Sequence, residues 1–222
     1  MRNINKVLLI VIASLVSLTS MADIVTEFDG KLLNLQQSWA NVNYILKSDP
    51  QEESFEELLI QAEAFVNDYP KKAETWIWQG IIQSSYAGSK GGLGALSLAK
   101  KAKKSFEKAI SLDETALNGS AFTSLGTLYH KVPGWPISFG DDDDAQDLLK
   151  KAVTMNPKGI DSNYFYGEFL YDEGKYEMAN EYLHNAQNAP ARETRPIADK
   201  NRQDEIQALL TKVEKKLTAK KR

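Results

Sequence analysis

FTSLGTLYHKVPGWPISFGDDDDAQDLLKKAVTMNP, residues 122–157, is the stretch on which the fold turns. It opens as Phe122-x2-Leu125-Gly126-x2-Tyr129 and closes as Ala145-x3-Leu149-x2-Ala152-x4-Pro157. Residues three and four apart share one face of a helix, so Ala145, Leu149 and Ala152 make one apolar stripe. Gly126 lets a neighbouring helix approach closely, and Leu149 then fills the groove between the two. Neither helix can bury its stripe alone, so the stretch predicts a packed pair. Pro157 marks its end.

The pattern recurs on both sides. Downstream, Tyr166-Gly167 stand where Leu125-Gly126 do, Gly174 and Tyr176 sit in the turn, and Ala179-x3-Leu183-x2-Ala186 runs on to Pro190. Upstream, Trp76 and Gly80 open a looser copy that Ala102-x3-Phe106-x2-Ala109 closes, with Glu114 where a proline would stand. The core alanines Ala102, Ala145 and Ala179 are 43 and then 34 residues apart. Gly167 to Ala179 is 12 residues, whereas Gly80 to Ala102 is 22, so about ten residues have been added to the first copy. The glycine-rich run Gly88 to Gly94 reads as a flexible inserted turn holding them.

From Trp76 to Pro190 the copies resemble tetratricopeptide repeats, with clear units at about 73–114, 119–157 and 160–190. The resemblance implies an all-α chain, an α-solenoid of about four tetratricopeptide-like helix pairs with a C-terminal capping helix. Lys31 to Leu46 and Ser54 to Val66 read as an earlier pair, with Asp49-Pro50 as the break and Tyr69-Pro70 as the stop. Pro196 begins the cap, an amphipathic stretch carrying Ile197, Ile206, Leu209, Leu210, Val213 and Leu217. More distantly, Pro133-Gly134-Trp135-Pro136 through Phe139-Gly140-Asp141 to Ala145, in an exported chain, is similar to the T component of tripartite periplasmic (TRAP) transporters. That likeness implies an accessory subunit that handles a ligand or a substrate-binding partner. The chain lacks the anchoring cysteine of that family.

In a tetratricopeptide stack the first helix of each unit lines the concave face, and the resemblance carries groove positions over by counting from Gly80, Gly126 and Gly167. They are Ile77 and Ile81, then Thr123, Thr127 and His130, then Tyr164, Glu168 and Tyr171. Such a groove is aromatic and weakly polar, without the clustered Lys and Arg that clamp a peptide carboxylate. It suits a protein segment or a small apolar ligand. The insertion Lys131 to Asp144 is a second candidate, because two prolines stiffen it while Trp135, Ile137 and Phe139 place apolar surface in a loop. Two readings stand for those three: they meet a partner, or they fold back to seal the repeats.

Residues 1–22 read as a secretory signal: Arg2 and Lys6, an apolar run from Val7 to Val16, then Ser20-Met21-Ala22 as a small-x-small cleavage site. The run is too short to span a bilayer, so the mature product, 23–222, carries no membrane insertion and is periplasmic or secreted. Cleavage removes two basic and no acidic residues, leaving 25 basic against 30 acidic and a balance of −5, which argues against nucleic acid as partner. Without cysteine there are no disulfides or thiolate metal sites, and packing alone must hold the chain.

No cofactor motif is present. Gly88 to Gly94 lacks the Gly-Lys-Ser/Thr and the preceding strand of a phosphate-binding loop. Asp141 to Asp144 lack the ligand ladder of a calcium loop and fit a helix N-terminus instead. The lysines at 100, 101, 103, 104 and 108 oppose an apolar stripe and form a solvated face. His130 and His184, the two histidines, sit in no nucleophile–base motif, so catalytic residues are expected to be absent and the chain to work by binding.

Overall fold

A computed structural model describes residues 27–220. The expected signal, residues 1–22, lies outside the described residues. The described residues divide into two units, 27–34 and 35–220. In the first, residues 27–34 are helical. The second opens with α1, residues 35–40, which runs into a π-helical turn at Asn41–Ile45. There follow α2 (Asp49–Asp68), α3 (Ala73–Lys90), α4 (Gly92–Leu112), a short 3-10 turn (Ala116–Asn118), α5 (Ser120–Lys131), α6 (Asp142–Met155), α7 (Ile160–Asp172), α8 (Tyr176–Gln187) and α9 (Pro196–Lys220). The second unit is an all-α solenoid.

The pairs α3/α4, α5/α6 and α7/α8 pack within themselves, and α3, α5 and α7 also touch one another in succession to form one continuous inner face. Each pair is locked by the same contact. A Cβ on Gly80 would come within 2.5 Å of the Phe106 ring, one on Gly126 within 2.8 Å of Leu149 Cγ, and one on Gly167 within 2.9 Å of Leu183 Cγ. Around each large residue the flanking alanines are fully buried: Ala102 and Ala109, Ala145 and Ala152, Ala179 and Ala186. The small-against-large spacing of the sequence is therefore the physical device that sets helix separation. On α9, Ile206, Leu209, Leu210 and Val213 join the core formed by α7 and α8, which caps the stack.

Helix ends follow local chemistry. Pro50 occupies the first turn of α2, where a missing N–H costs nothing, with Asp49 and Glu52 beside the positive end of the dipole. Asp141 caps α6, its carboxylate accepting from the backbone N–H of Asp143 and Asp144, both at 3.0 Å.

The first repeat departs from expectation. Its added residues form no loop; they lengthen α3 and α4 to 18 and 21 residues, against 12 and 14 for α5 and α6. Gly88 and Gly94 are helical, and the reversal needs only Gly91 and Gly92, at φ 65° and 60°. The insertion of the second repeat, by contrast, is an ordered loop. Gly140 N–H donates to Pro133 O at 3.0 Å and Asp141 N–H to Tyr129 O at 3.1 Å, folding the loop back onto the end of α5.

Candidate functional site

The inner face borders a half-open cavity of about 150 Å³. Trp78, Ile81, Ser84 and Ser85 come from α3, Ser120, Thr123, Ser124 and Thr127 from α5, and Asp161 and Phe165 from α7. Residues far away in sequence close the space: Trp39 from α1, Arg195 just before α9, and Arg202 from α9. Trp39 is fixed over the cavity by its indole N–H, which donates to Ser85 Oγ at 2.9 Å, and by edge-on packing against Trp78 with centroids 5.7 Å apart. Ser84 and Thr127 bond back to carbonyls one turn earlier, at 2.9 and 2.8 Å, which leaves their lone pairs as acceptors. A wider cleft of about 400 Å³ adjoins, sharing Trp78, Ser120, Thr123, Asp161 and Arg195.

Charge at the closing edge is unequally paired. Arg192 Nη1 donates to one oxygen of Asp161 at 2.6 Å, and Arg202 Nε to the other at 3.0 Å. Arg192 also bonds Asp199 through Nε at 2.7 Å, while Arg202 bonds Glu205 at 2.5 Å. Arg202 is buried, and its guanidinium lies 4.3 Å from the Tyr164 ring centre and 4.4 Å from that of Phe165. Burial works to raise the Asp161 carboxyl, but the charges of Arg202, Arg192 and Arg195 prevail and hold it well below the usual carboxylate range. Burial likewise works to lower Arg202, and the Asp161 charge reverses it upward.

Arg195 has no such partner. Among the described residues it makes no ion pair; its guanidinium lies 5.1 Å from the Trp78 ring centre, and its Nε is buried without a hydrogen bond. Burial first, and then repulsion from Arg192, lower its pKa against the pull of Asp161 and Asp199. Trp78, 2% exposed, carries a second unsatisfied donor, its indole Nε1. Both nitrogens are occluded, so neither faces the cavity that their residues border.

The residues carried over from the repeat pattern separate into several environments. Ile81, Thr123 and Thr127 line the cavity. Ile77 is fully buried in a cluster with Ala73, Ala109, Ala116 and Ala121, and its neighbour Trp78 takes the cavity-facing place. Tyr164 is buried beneath Arg202. His130, at the end of α5, lies with Nδ1 2.9 Å from Asp142 and Nε2 2.9 Å from Asp172, its ring edge-on to Phe169. Glu168 belongs with that polar cluster through Lys131, at 3.3 Å. Tyr171 packs against Tyr176 of α8, centroids 5.6 Å apart. In the inserted loop the two readings divide: Phe139 seals against Tyr129, centroids 5.5 Å apart, while Trp135 and Ile137 are 89% and 63% exposed. Neither of these two lines the cavity or the cleft.

The expected lack of basic groups at the groove does not hold, because Arg195 and Arg202 enter from outside the repeats. Repeat counting also passes over Trp39, Trp78 and the α3 serines. One local signal pointed to Arg202: it stands four and seven residues before Ile206 and Leu209, on the buried stripe of the cap.

No family model and no curated protein matches the sequence. Among solved structures, the chain is similar to TTC0263, a thermophilic TPR protein in Thermus thermophilus, with a TM-score of 0.53 over 86% of this chain and 96% of that one at 12% identity. Two crystal structures of MamA align with TM-scores of 0.44 and 0.43, at 20% and 18% identity, over 77% and 84% of this chain and 93% and 92% of theirs. The Thermus likeness shows a tetratricopeptide-like fold.

Proposed function

We propose that this chain is an exported, non-catalytic scaffold that binds a protein partner in the periplasm through its inserted loop. One observation carries the reading: Trp135 stands 89% exposed beside the exposed Ile137, on a loop tied to the scaffold by backbone hydrogen bonds and by Phe139. An aromatic carried on a loop whose backbone is already tied down loses little backbone freedom on docking, which favours its use as a binding hot spot. Stacked helix pairs supply extended surfaces of this kind. Export is supported by Arg2, Lys6, the apolar run from Val7 to Val16 and the small-x-small site before Asp23. The cavities lie at the inner face, away from Trp135, so the loop is better suited to meeting a protein than to enclosing a transported ligand.

The test is quantitative capture from periplasmic extract on immobilised wild type and on Trp135→Ala/Ile137→Ala. A protein retained by the wild type and reduced roughly tenfold or more on the variant is the expected result. Both side chains are exposed, so the variant should melt within about 2 °C of wild type. Equal retention by the two baits, or no specific protein on either, refutes the reading. Mass analysis of the exported chain should find it beginning near Asp23.

A further inference from the structure

We infer that the outward faces of α2 and α4 form a self-complementary patch through which two copies of this chain associate as a symmetric dimer, the acids of α2 in one copy lying against the lysines of α4 in the other. The inference is independent of the loop and its partner, and three observations lead to it.

The first is segregation of charge. α2 carries seven acidic residues and no lysine or arginine, whereas α4 carries five lysines and one glutamate. A face left to solvent ordinarily mixes the two signs. Glu53, Glu56, Glu57 and Glu63 are all exposed on α2, and Lys100, Lys101, Lys104 and Lys108 on α4. Their spacings of three and four residues set like charges side by side, which costs each helix stability on its own. Helix dipoles do not account for the pattern. The first-turn acids of α2 are Asp49 and Glu52, and the last turn of α4 holds no basic residue.

The second is that these charges go unanswered within the chain. Their neighbours are paired: Lys90 with Glu52 at 2.6 Å, and Lys103 with Glu107. Among the described residues, none of the four glutamates and none of the four lysines makes an ion pair. In the middle of the acidic face Ile60 is 62% exposed. An apolar side chain ringed by one sign of charge fits a surface that offers the opposite charge on apolar stems, and lysine supplies both.

The third is that one molecule carries both halves of the match. The acids run from 53 to 63 and the lysines from 100 to 108, about 15 and 12 Å along their helices. An unrelated partner would need the inverse of this pattern, whereas a second copy has it by construction. α2 and α4 both pack on α3, from which each turns back through a short connection, so they run in the same sense. A two-fold axis between them therefore sets α2 antiparallel to α4 of the other copy and satisfies both pairs of faces at once.

The experiment is sedimentation velocity on the mature protein from about 1 μM to about 1 mM, at about 50 and about 500 mM NaCl. Wild type is expected to pass from monomer to dimer with rising concentration, and to associate roughly tenfold or more weakly at the higher salt. Two variants reverse one helix each: Glu53→Lys/Glu56→Lys/Glu57→Lys/Glu63→Lys, and Lys100→Glu/Lys101→Glu/Lys104→Glu/Lys108→Glu. Each then bears a single sign on both faces and should self-associate roughly a hundredfold or more weakly, with folding checked by circular dichroism. An equal mixture of the two should recover the dimer, because every face again meets its opposite. Trp135→Ala/Ile137→Ala should dimerise like wild type. Wild type that stays monomeric at the lower salt, or whose association is indifferent to salt, overturns the inference without recourse to any variant. A mixture of folded reversed variants that remains monomeric overturns it as well, and loss of the dimer in the loop variant would place the contact at the loop instead.

Discussion

Replacing Gly126 with alanine tests the interlock on which the repeat stack depends. The added methyl would lie 2.8 Å from Leu149 Cγ and 3.1 Å from both Leu148 Cβ and the Leu149 backbone nitrogen. These atoms are close to the chain of α6, so relief requires the helix itself to move. Alanine gains about 1 kcal/mol in helix propensity over glycine, while overpacking costs about 1–3 kcal/mol, so the net effect is a loss of up to about 2 kcal/mol. Gly88 supplies the control, since it is helical and exposed in α3 with nothing within 4 Å of a Cβ. There alanine keeps the propensity gain, and Gly88→Ala should stabilise by about 0.4–1 kcal/mol. In a domain of this size 1 kcal/mol moves the melting midpoint by about 2–4 °C, so the two variants should shift in opposite directions in circular-dichroism melts. Leu149→Ala alone should cost about 2–5 kcal/mol as a core cavity. Combined with Gly126→Ala, the new methyl enters space that Leu149 has vacated, so the double variant should retain about 0.5–3 kcal/mol more stability than the sum of the singles. Strict additivity, or a Gly126→Ala midpoint raised like that of Gly88→Ala, would refute close approach as the basis of the pair.

Two further outcomes are expected. Asp141→Ala should lower the urea midpoint by the equivalent of about 0.5–2 kcal/mol without changing the slope, and Asp141→Asn should restore most of it, because asparagine caps as well as aspartate; equal damage by both would locate the effect elsewhere. Asp161 sets an acid dependence: its folded pKa lies below the unfolded value of about 3.9, so its stabilisation is fully present above that pH and fades as pH falls toward the folded value. Asp161→Asn should therefore be less stable at neutral pH, by about 3 kcal/mol given that the side chain is 31% exposed, and should lose less than wild type on acidification below about pH 4. Parallel stability–pH curves would contradict the assigned pairing.

The repeat architecture was legible because it is written in short spacings. Gly126 and Leu149 meet through helix periodicity and a single connection, and the same holds for Gly167 with Leu183. The size of the first insertion was legible too, but its form was not. Gly88, Gly91, Gly92 and Gly94 look alike in sequence, and only packing along the extended α3 and α4 decides that the first and last are helical while the middle pair turns the chain. In the second insertion the prolines and aromatics marked an ordered loop. Which aromatic would turn inward depended on Tyr129 at the end of α5, against which Phe139 came to rest.

The inner-face cavity was illegible for a different reason: its closing contacts span the chain. Trp39 meets Ser85 across 46 residues, and Arg202 meets Asp161 across 41, distances that no helical period encodes. What the sequence does carry is a conflict, a guanidinium in register with Ile206 and Leu209 on a stripe that must be buried. Burying that charge is tolerable only with a counter-charge held in place, and Asp161, in the first turn of α7, provides it. Arg192 donates to the other oxygen of the same carboxylate, whereas Arg195 makes no ion pair among the described residues. The same closure leaves Arg195 over the Trp78 ring, 5.1 Å from its centre, rather than against a carboxylate.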